Sequence, residues 1–147
     1  MASNSAPAAA RGMTPVQIGS AVVGIVFLLV GVLGFIPGVT TNYDGLIVIS
    51  HDSQALLLGI FGVNVTHNVV HLLFGVVGVL TARGAAAAKY FLLIGGILYL
   101  VLWVFGLVID LEAPINFVAL NTADNWLHLV LGVAMVILGF VLPGARR

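Results

Sequence analysis

Residues 63–82 read VNVTHNVVHLLFGVVGVLTA, twenty residues without Asp, Glu, Lys or Arg. A helix of about 20 mostly apolar residues is long enough to cross the hydrocarbon core of a bilayer. The stretch also carries asparagine and histidine, which turn away from lipid and toward neighbouring helices. It therefore predicts a membrane-spanning helix with one polar face.

The composition of the whole chain favours the same environment. Hydrophobic residues make up 61% of the 147 residues and charged residues only 7%, and the mean hydropathy is +1.22. A soluble domain typically has about 25% charged residues, so lipid is the expected solvent for most of this surface. The net charge of zero argues against nucleic acid as a partner, and the absence of cysteine excludes disulfides and thiolate metal sites.

Four apolar stretches are long enough to span, and together they predict one transmembrane domain over residues 14–143. The predicted spans are residues 16–36, 63–82, 90–109 and 125–142. Residues 1–13 are small and polar with one Arg, which predicts a disordered cytoplasmic tail. Residues 53–62 are apolar as well and are predicted to form an extra helical segment, which either extends the second span outward or lies along the membrane surface.

The charged residues predict the orientation of these spans. The basic residues are Arg11, Arg83, Lys89, Arg146 and Arg147, and the acidic residues are Asp44, Asp52, Asp110, Glu112 and Asp124. Four crossings place all five basic residues on one side of the membrane and all five acidic residues on the other. Loops rich in Lys and Arg stay in the cytoplasm, so both termini are expected there.

Two segments of the chain match each other and indicate an internal repeat. Residues 68–76, NVVHLLFGV, and residues 125–133, NWLHLVLGV, share the pattern N-x-x-H-L-x-x-G-V. A weaker match relates the first and third spans through Gly24 and Phe27 against Gly96 and Tyr99. The predicted fold is therefore all-α, a transmembrane four-helix bundle built from two repeated helical hairpins.

The second and fourth spans each carry polar residues on one helix face. This interior polar stripe consists of Asn64, His67, Asn68, His71, Asn125 and His128. The simplest interpretation is structural, with each side chain forming hydrogen bonds that hold the helices in register, each contributing roughly 0.6–2 kcal/mol.

Ligand binding is the alternative interpretation of the same residues. His67 and His71 are four residues apart on one helix, and with His128 they are candidate metal ligands. His71 and His128 could instead be opposed axial ligands that bind haem as a cofactor, although the chain has no CxxCH attachment motif. A third interpretation is a permeation path for a proton, ion or small molecule.

The sequence contains no constellation of residues typical of catalysis, so we expect no enzyme activity. The leading functional hypothesis is a structural, accessory or assembly subunit with the lipid bilayer as its partner, acting as a homo-oligomer or within a larger membrane complex. The alternatives are a haem- or metal-binding redox protein and a small permeation or transport unit.

The motifs HNVVHLLFG over residues 67–75 and NTADNWLHLVLG over residues 121–132 resemble the family called domain of unknown function 4383. The resemblance extends from Thr14 to Leu142. It implies a small four-pass membrane protein of the bacterial plasma membrane, chiefly actinobacterial. It implies no activity and assigns no functional residues.

Overall fold

The structure, a computed structural model, describes residues 12–145 and is mostly helical. In chain order its elements are α1 (Pro15–Leu33), β1 (Thr40–Thr41), a 3₁₀ turn (Tyr43–Gly45), β2 (Leu56–Leu57), β3 (Phe61–Gly62), α2 (Val65–Thr81), α3 (Ala85–Val108) and α4 (Thr122–Val141). The predicted disordered tail lies outside the described residues apart from Gly12 and Met13.

The prediction of four apolar helices is confirmed within residues 12–145. By length and composition α1, α3 and α4 could each cross a membrane, whereas α2 is shorter, with 17 residues. Helix α3 begins at Ala85 rather than at residue 90, because four consecutive alanines favour helix. Helix α4 begins at Thr122 rather than at residue 125, because Asn121 caps it.

The predicted helical segment over residues 53–62 is wrong. These residues form a hairpin in which β2 pairs with β3 antiparallel, and β1 pairs with the other edge of β2. Leu58 and Gly59 both have positive φ angles, 55° and 71°, and form the tight turn. Ala55 and Leu57 are buried and alternate with more exposed neighbours, which is the period of a strand.

The four helices pack as two pairs, α1 with α2 and α3 with α4. Glycines allow the backbones of each pair to approach closely. A Cβ atom on Gly24 would lie 2.8 Å from the carbonyl oxygen of Gly75, and a Cβ atom on Gly96 would lie 2.9 Å from that of Gly132. The backbones of each pair are therefore in direct contact at glycines.

Hydrogen bonds bring one set of helix ends together. Gln17 Nε2 near the start of α1 donates to the carbonyl oxygen of Ala82 at the end of α2, at 2.8 Å, and Ser20 Oγ donates to that of Gly78, also at 2.8 Å. The amide of Val16 donates to the carbonyl of Pro143 after α4, at 3.4 Å. We call this the inner end, and the opposite end, which carries the sheet, the outer end.

The apolar core is larger toward the inner end. Its main cluster contains Val16, Phe27, Ala88, Phe91, Leu92, Tyr99 and Met135. A smaller cluster of Ala55, Leu57 and Val63 lies between the sheet and the helices. The buried residues His71 and His128 adjoin Phe27 and Tyr99 of the main cluster.

Candidate binding site at the buried histidines

The histidine cluster consists of His67, His71 and His128. His67 and His71 are one turn apart on α2, with ring centroids 4.5 Å apart, and His128 on α4 has its centroid 6.4 Å from that of His67. All three side chains are buried, with 4%, 8% and 3% of their surface exposed. The structure therefore brings the three predicted histidines together at the seam between the two helix pairs.

Aromatic rings surround this cluster on its inner side. Tyr99 on α3 meets His128 edge to face, with centroids 5.1 Å apart, and Phe27 on α1 lies 5.6 Å from His71. Phe27 and Tyr99 are themselves 5.2 Å apart. All four helices thus contribute a ring to one continuous aromatic contact.

Some ring nitrogens of the histidine cluster have no hydrogen-bond partner. Nδ1 of His67, His71 and His128 is buried and has no hydrogen-bond partner within residues 12–145. Backbone hydrogen-bonding groups of Gly62 and Val118 face the imidazole of His67. A buried polar atom without a partner is costly, so three of them in one place mark a site where a ligand or water belongs.

Two cavities adjoin the cluster, and His71 and His128 line both of them. The larger has a volume of about 160 Å³ and is lined by His67, Val70, His71, Tyr99, Leu102, Phe105, Phe117, Val118, Leu120 and His128. The smaller, of about 90 Å³, is lined by Val26, Phe27, Val30, His71, Asp124, Leu127, His128 and Leu131. The first lies on the α2–α3 side of the cluster and the second on the α1–α4 side.

The outer loops cover the cluster and are held by buried polar side chains. Asn64, the N-cap of α2, donates from Nδ2 to the carbonyl oxygens of Ser50 at 3.1 Å and Phe117 at 2.7 Å, while its Oδ1 accepts from the amide of His67 at 2.8 Å. Asn116 donates from Nδ2 to the carbonyl of Leu120 at 2.9 Å. The stripe residue Asn64 therefore joins both outer loops to α2.

Asp124 connects the sheet to α4. Its Oδ2 accepts hydrogen bonds from the amides of Gly62 at 3.0 Å and Asn121 at 2.9 Å, and Asn121 Oδ1 accepts from the amide of Asp124 at 3.0 Å. The carboxylate is buried in the first turn of α4, where the positive end of the helix dipole favours it. It acts here as a cap and as a tether for the hairpin.

The remaining stripe residues, Asn68 and Asn125, pack against glycines of the partner helix. A Cβ atom on Gly34 would overlap the amide of Asn68, and one on Gly106 would overlap the amide of Asn125. Asn125 Nδ2 donates to the carbonyl of Gly106 at 2.8 Å, which agrees with the structural interpretation of the stripe. The side-chain amide of Asn68 has no hydrogen-bond partner among the described residues.

The arrangement does not fit the metal and haem interpretations. Between residues 12 and 145, no three His, Asp or Glu side chains are placed so that they could hold one metal ion. The cavities beside His71 and His128 are smaller than the roughly 300–1,000 Å³ typical of pockets that enclose a whole cofactor. The cluster is better suited to a small group that forms hydrogen bonds.

Several residues of the site were not predicted as site residues. Phe27 and Tyr99 had a usable signal in the sequence, because they occupy matching positions of the predicted repeat. Asn116 and the cavity wall formed by Phe117, Val118 and Leu120 lie in an irregular loop, and no periodicity in the sequence points to them.

Four apolar helices in two close pairs, with a small sheet at one end, define a small helical protein of membrane type. A family model described as Domain of unknown function (DUF4383) matches residues 17–141, and the chain belongs to this family. The resemblance seen in the motifs is thereby confirmed. The comparison with curated proteins and the comparison with solved structures each gave no match.

Proposed function

We propose that the protein is an integral membrane protein that crosses the bilayer four times. The outward faces of the helices support this, because each helix exposes large apolar side chains. Ile18, Leu73, Ile94 and Val130, one from each helix, are 51%, 61%, 64% and 63% exposed. Apolar surface of this extent is stable against lipid and prone to association in water. The 17 residues of α2 are at the short end of what can span.

We further propose that both termini are cytoplasmic, as expected for a bacterial plasma-membrane protein of this topology. Arg83 and Lys89 belong to the inner end, whereas Asp110 and Glu112 follow α3 at the outer end. The excess of positive charge near the inner end supports a cytoplasmic position for it.

The two helix pairs are proposed to be repeats of one hairpin. Asn64 caps α2 as Asn121 caps α4, each accepting a hydrogen bond from the amide three residues later. The glycine contacts of Gly24 with Gly75 and of Gly96 with Gly132 have equivalent geometry. In this correspondence His67 matches Asp124. The two repeats therefore share an asparagine N-cap, and three residues later one has an imidazole and the other a carboxyl group.

The function we propose is that of a non-enzymatic accessory or assembly subunit, acting as a homo-oligomer or within a larger membrane complex. The single observation that carries it is the contrast between extensive apolar outer faces and buried polar side chains, such as Asn64, Asp124 and Asn125, that join helices and loops. A permeation path would need polar groups along its whole length. The inner half is instead packed with apolar residues such as Val16, Leu92 and Met135.

Labelling of single cysteines tests the membrane placement, because the natural chain has no cysteine. We expect Arg83→Cys to react with a membrane-impermeant maleimide only in inverted vesicles, and Asp110→Cys only in intact spheroplasts. Reaction of both thiols from the same side would refute the topology.

Cross-linking in native membranes, followed by mass spectrometry, tests the accessory role. We expect a defined cross-linked species at native expression, either a homo-oligomer or a complex with other membrane proteins. A lone monomer under these conditions would refute the accessory role and leave the topology untouched.

A further inference from the structure

We propose that the 160 Å³ cavity binds a single-ring, hydroxyl-bearing head group of a membrane-soluble molecule, whose apolar tail lies in a groove along α3. The chemical class is that of alkylated phenols and hydroquinones. The inference rests on the proposed membrane placement, which the cysteine labelling tests separately.

The size of the cavity and its chemistry both point to one ring. A cavity of about 150 Å³ in a protein interior is large enough to bind benzene, and this one has about 160 Å³. Its walls include the rings of Tyr99, Phe105 and Phe117, against which a flat ring can stack. Most of the remaining lining is aliphatic, so an apolar ring is accommodated without burying further charge.

The histidines provide the polar part of the recognition. In a neutral imidazole Nδ1 is either a hydrogen-bond donor or an acceptor, depending on the tautomer. Nδ1 of His67, His71 and His128 is buried and lacks a partner in the described part of the chain, and each of these residues lines the cavity, so rotation of an imidazole ring brings its nitrogen within reach of a bound group. A hydroxyl both donates and accepts, so one or two hydroxyls on the ring satisfy either tautomer.

The mouth of the cavity faces the apolar surface of the helices. Val70 on α2 and Phe117 in the second outer loop both line the cavity and are 46% and 48% exposed. Both are apolar, and they lie beside the gap between α2 and α3. A ligand dissolved in the bilayer can therefore enter sideways without crossing a polar surface.

A groove along α3 shares the side chain of Phe105 with the cavity and provides a place for the tail. Ile97, Leu100, Val101, Val104 and Phe105 line an open groove of about 430 Å³ along α3, and Phe105 also lines the cavity. The groove surface is almost wholly apolar, as the tail of a lipid-soluble molecule requires. Cavity and groove together define a ligand with a compact polar head and an apolar tail.

Photo-cross-linking in lipid nanodiscs tests the proposal. The probe is an alkylphenol whose tail carries a diazirine, and the competitors are 4-octylphenol and octylbenzene, which differ by one hydroxyl. We expect saturable cross-links to peptides of α3 and the second outer loop. We expect 4-octylphenol to compete at least tenfold better than octylbenzene, because a site with unpaired polar groups rejects the analogue that lacks the hydroxyl.

Matched variants separate the site from general lipid binding. His128→Leu and Val70→Trp should each weaken saturable labelling at least tenfold, the first by removing a hydrogen-bonding ring and the second by blocking the mouth from an exposed position. His51→Ala should leave labelling unchanged, since His51 is the one histidine outside the cluster and pairs with Asp52 at 3.3 Å.

The ¹⁵N resonances of the imidazoles provide a direct readout of the hydrogen bonds. We expect the Nδ1 signal of at least one cluster histidine to shift on addition of 4-octylphenol and not on addition of octylbenzene. Equal competition by the two compounds, or labelling that Val70→Trp leaves intact, would overturn the proposal. A cavity occupied by water alone would produce those results.

Discussion

The glycine contacts within each helix pair predict opposite effects for the same substitution at two positions of α1. At Gly24 an added Cβ atom would lie 2.6 Å from the amide nitrogen of Val79 and 2.8 Å from the carbonyl oxygen of Gly75, both backbone atoms of α2. At Gly19 the nearest atom would be Cδ1 of Leu142, also at 2.6 Å, which is the end of a flexible side chain. Backbone cannot rotate away, whereas a leucine side chain can.

The magnitude follows from this geometry. Ordinary contact begins at 3.4 Å, so Gly24→Ala has to move α1 and α2 apart by several tenths of an ångström. Overpacking of this kind typically costs about 1–3 kcal/mol. Alanine regains about 0.8–1 kcal/mol in helix propensity, which leaves a net loss of up to about 2 kcal/mol in the free energy of unfolding. Gly19→Ala should be neutral or up to about 1 kcal/mol more stable.

Reversible unfolding in mixed micelles, titrated with SDS and followed by far-UV circular dichroism, measures both values. Gly96→Ala provides a second instance in the other helix pair, since its Cβ atom would lie 2.8 Å from the amide nitrogen of Val136. If Gly24→Ala proves as stable as Gly19→Ala, the helix backbones are not in contact at this glycine, and the reasoning fails.

Two further predictions concern the buried polar side chains. Asn125→Leu should lower the free energy of unfolding by about 1–2 kcal/mol, because it leaves the carbonyl of Gly106, in the last turn of α3, without its hydrogen bond. Asn68→Leu should be neutral or stabilising, because the side-chain amide of Asn68 has no partner within residues 12–145. Equal losses in the same SDS titration would contradict this. Asp124→Ala should accelerate hydrogen exchange at the amide of Gly62 at least tenfold, and Asp124→Asn, which keeps an acceptor, should have a smaller effect; unchanged exchange in both variants would show that the tether is not formed.

Hydrophobic length and polar periodicity predicted the helices and the meeting of the histidines. The spacing of His67 and His71 places both side chains on one face of a helix, and the N-x-x-H pattern shared by residues 68–71 and 125–128 predicts the same depth for His71 and His128. Both predictions depend on the helical period of 3.6 residues per turn, which is local and does not depend on the conformation of the loops.

The hairpin over residues 56–62 was not predictable from those regularities. Its turn places Leu58 at a φ angle of 55°, a conformation that non-glycine residues rarely adopt. The short apolar run around it has the composition of a helix as much as that of a strand. The tertiary context decides between them. The amide of Gly62 donates to Asp124, 62 residues away in sequence, and Asn121 donates to the carbonyl of Ile60 at 2.8 Å, 61 residues away.

The different packing within and between the helix pairs explains why the cavity lies at the seam. Within a pair, glycines let the backbones touch. Between the pairs, the rings of Phe27 and Tyr99, with centroids 5.2 Å apart, and those of His67 and His128, with centroids 6.4 Å apart, hold the helices apart, and large flat side chains cannot fill an irregular volume completely. Substitutions at the glycines should therefore change stability, whereas substitutions at the seam should chiefly change what the cavity holds.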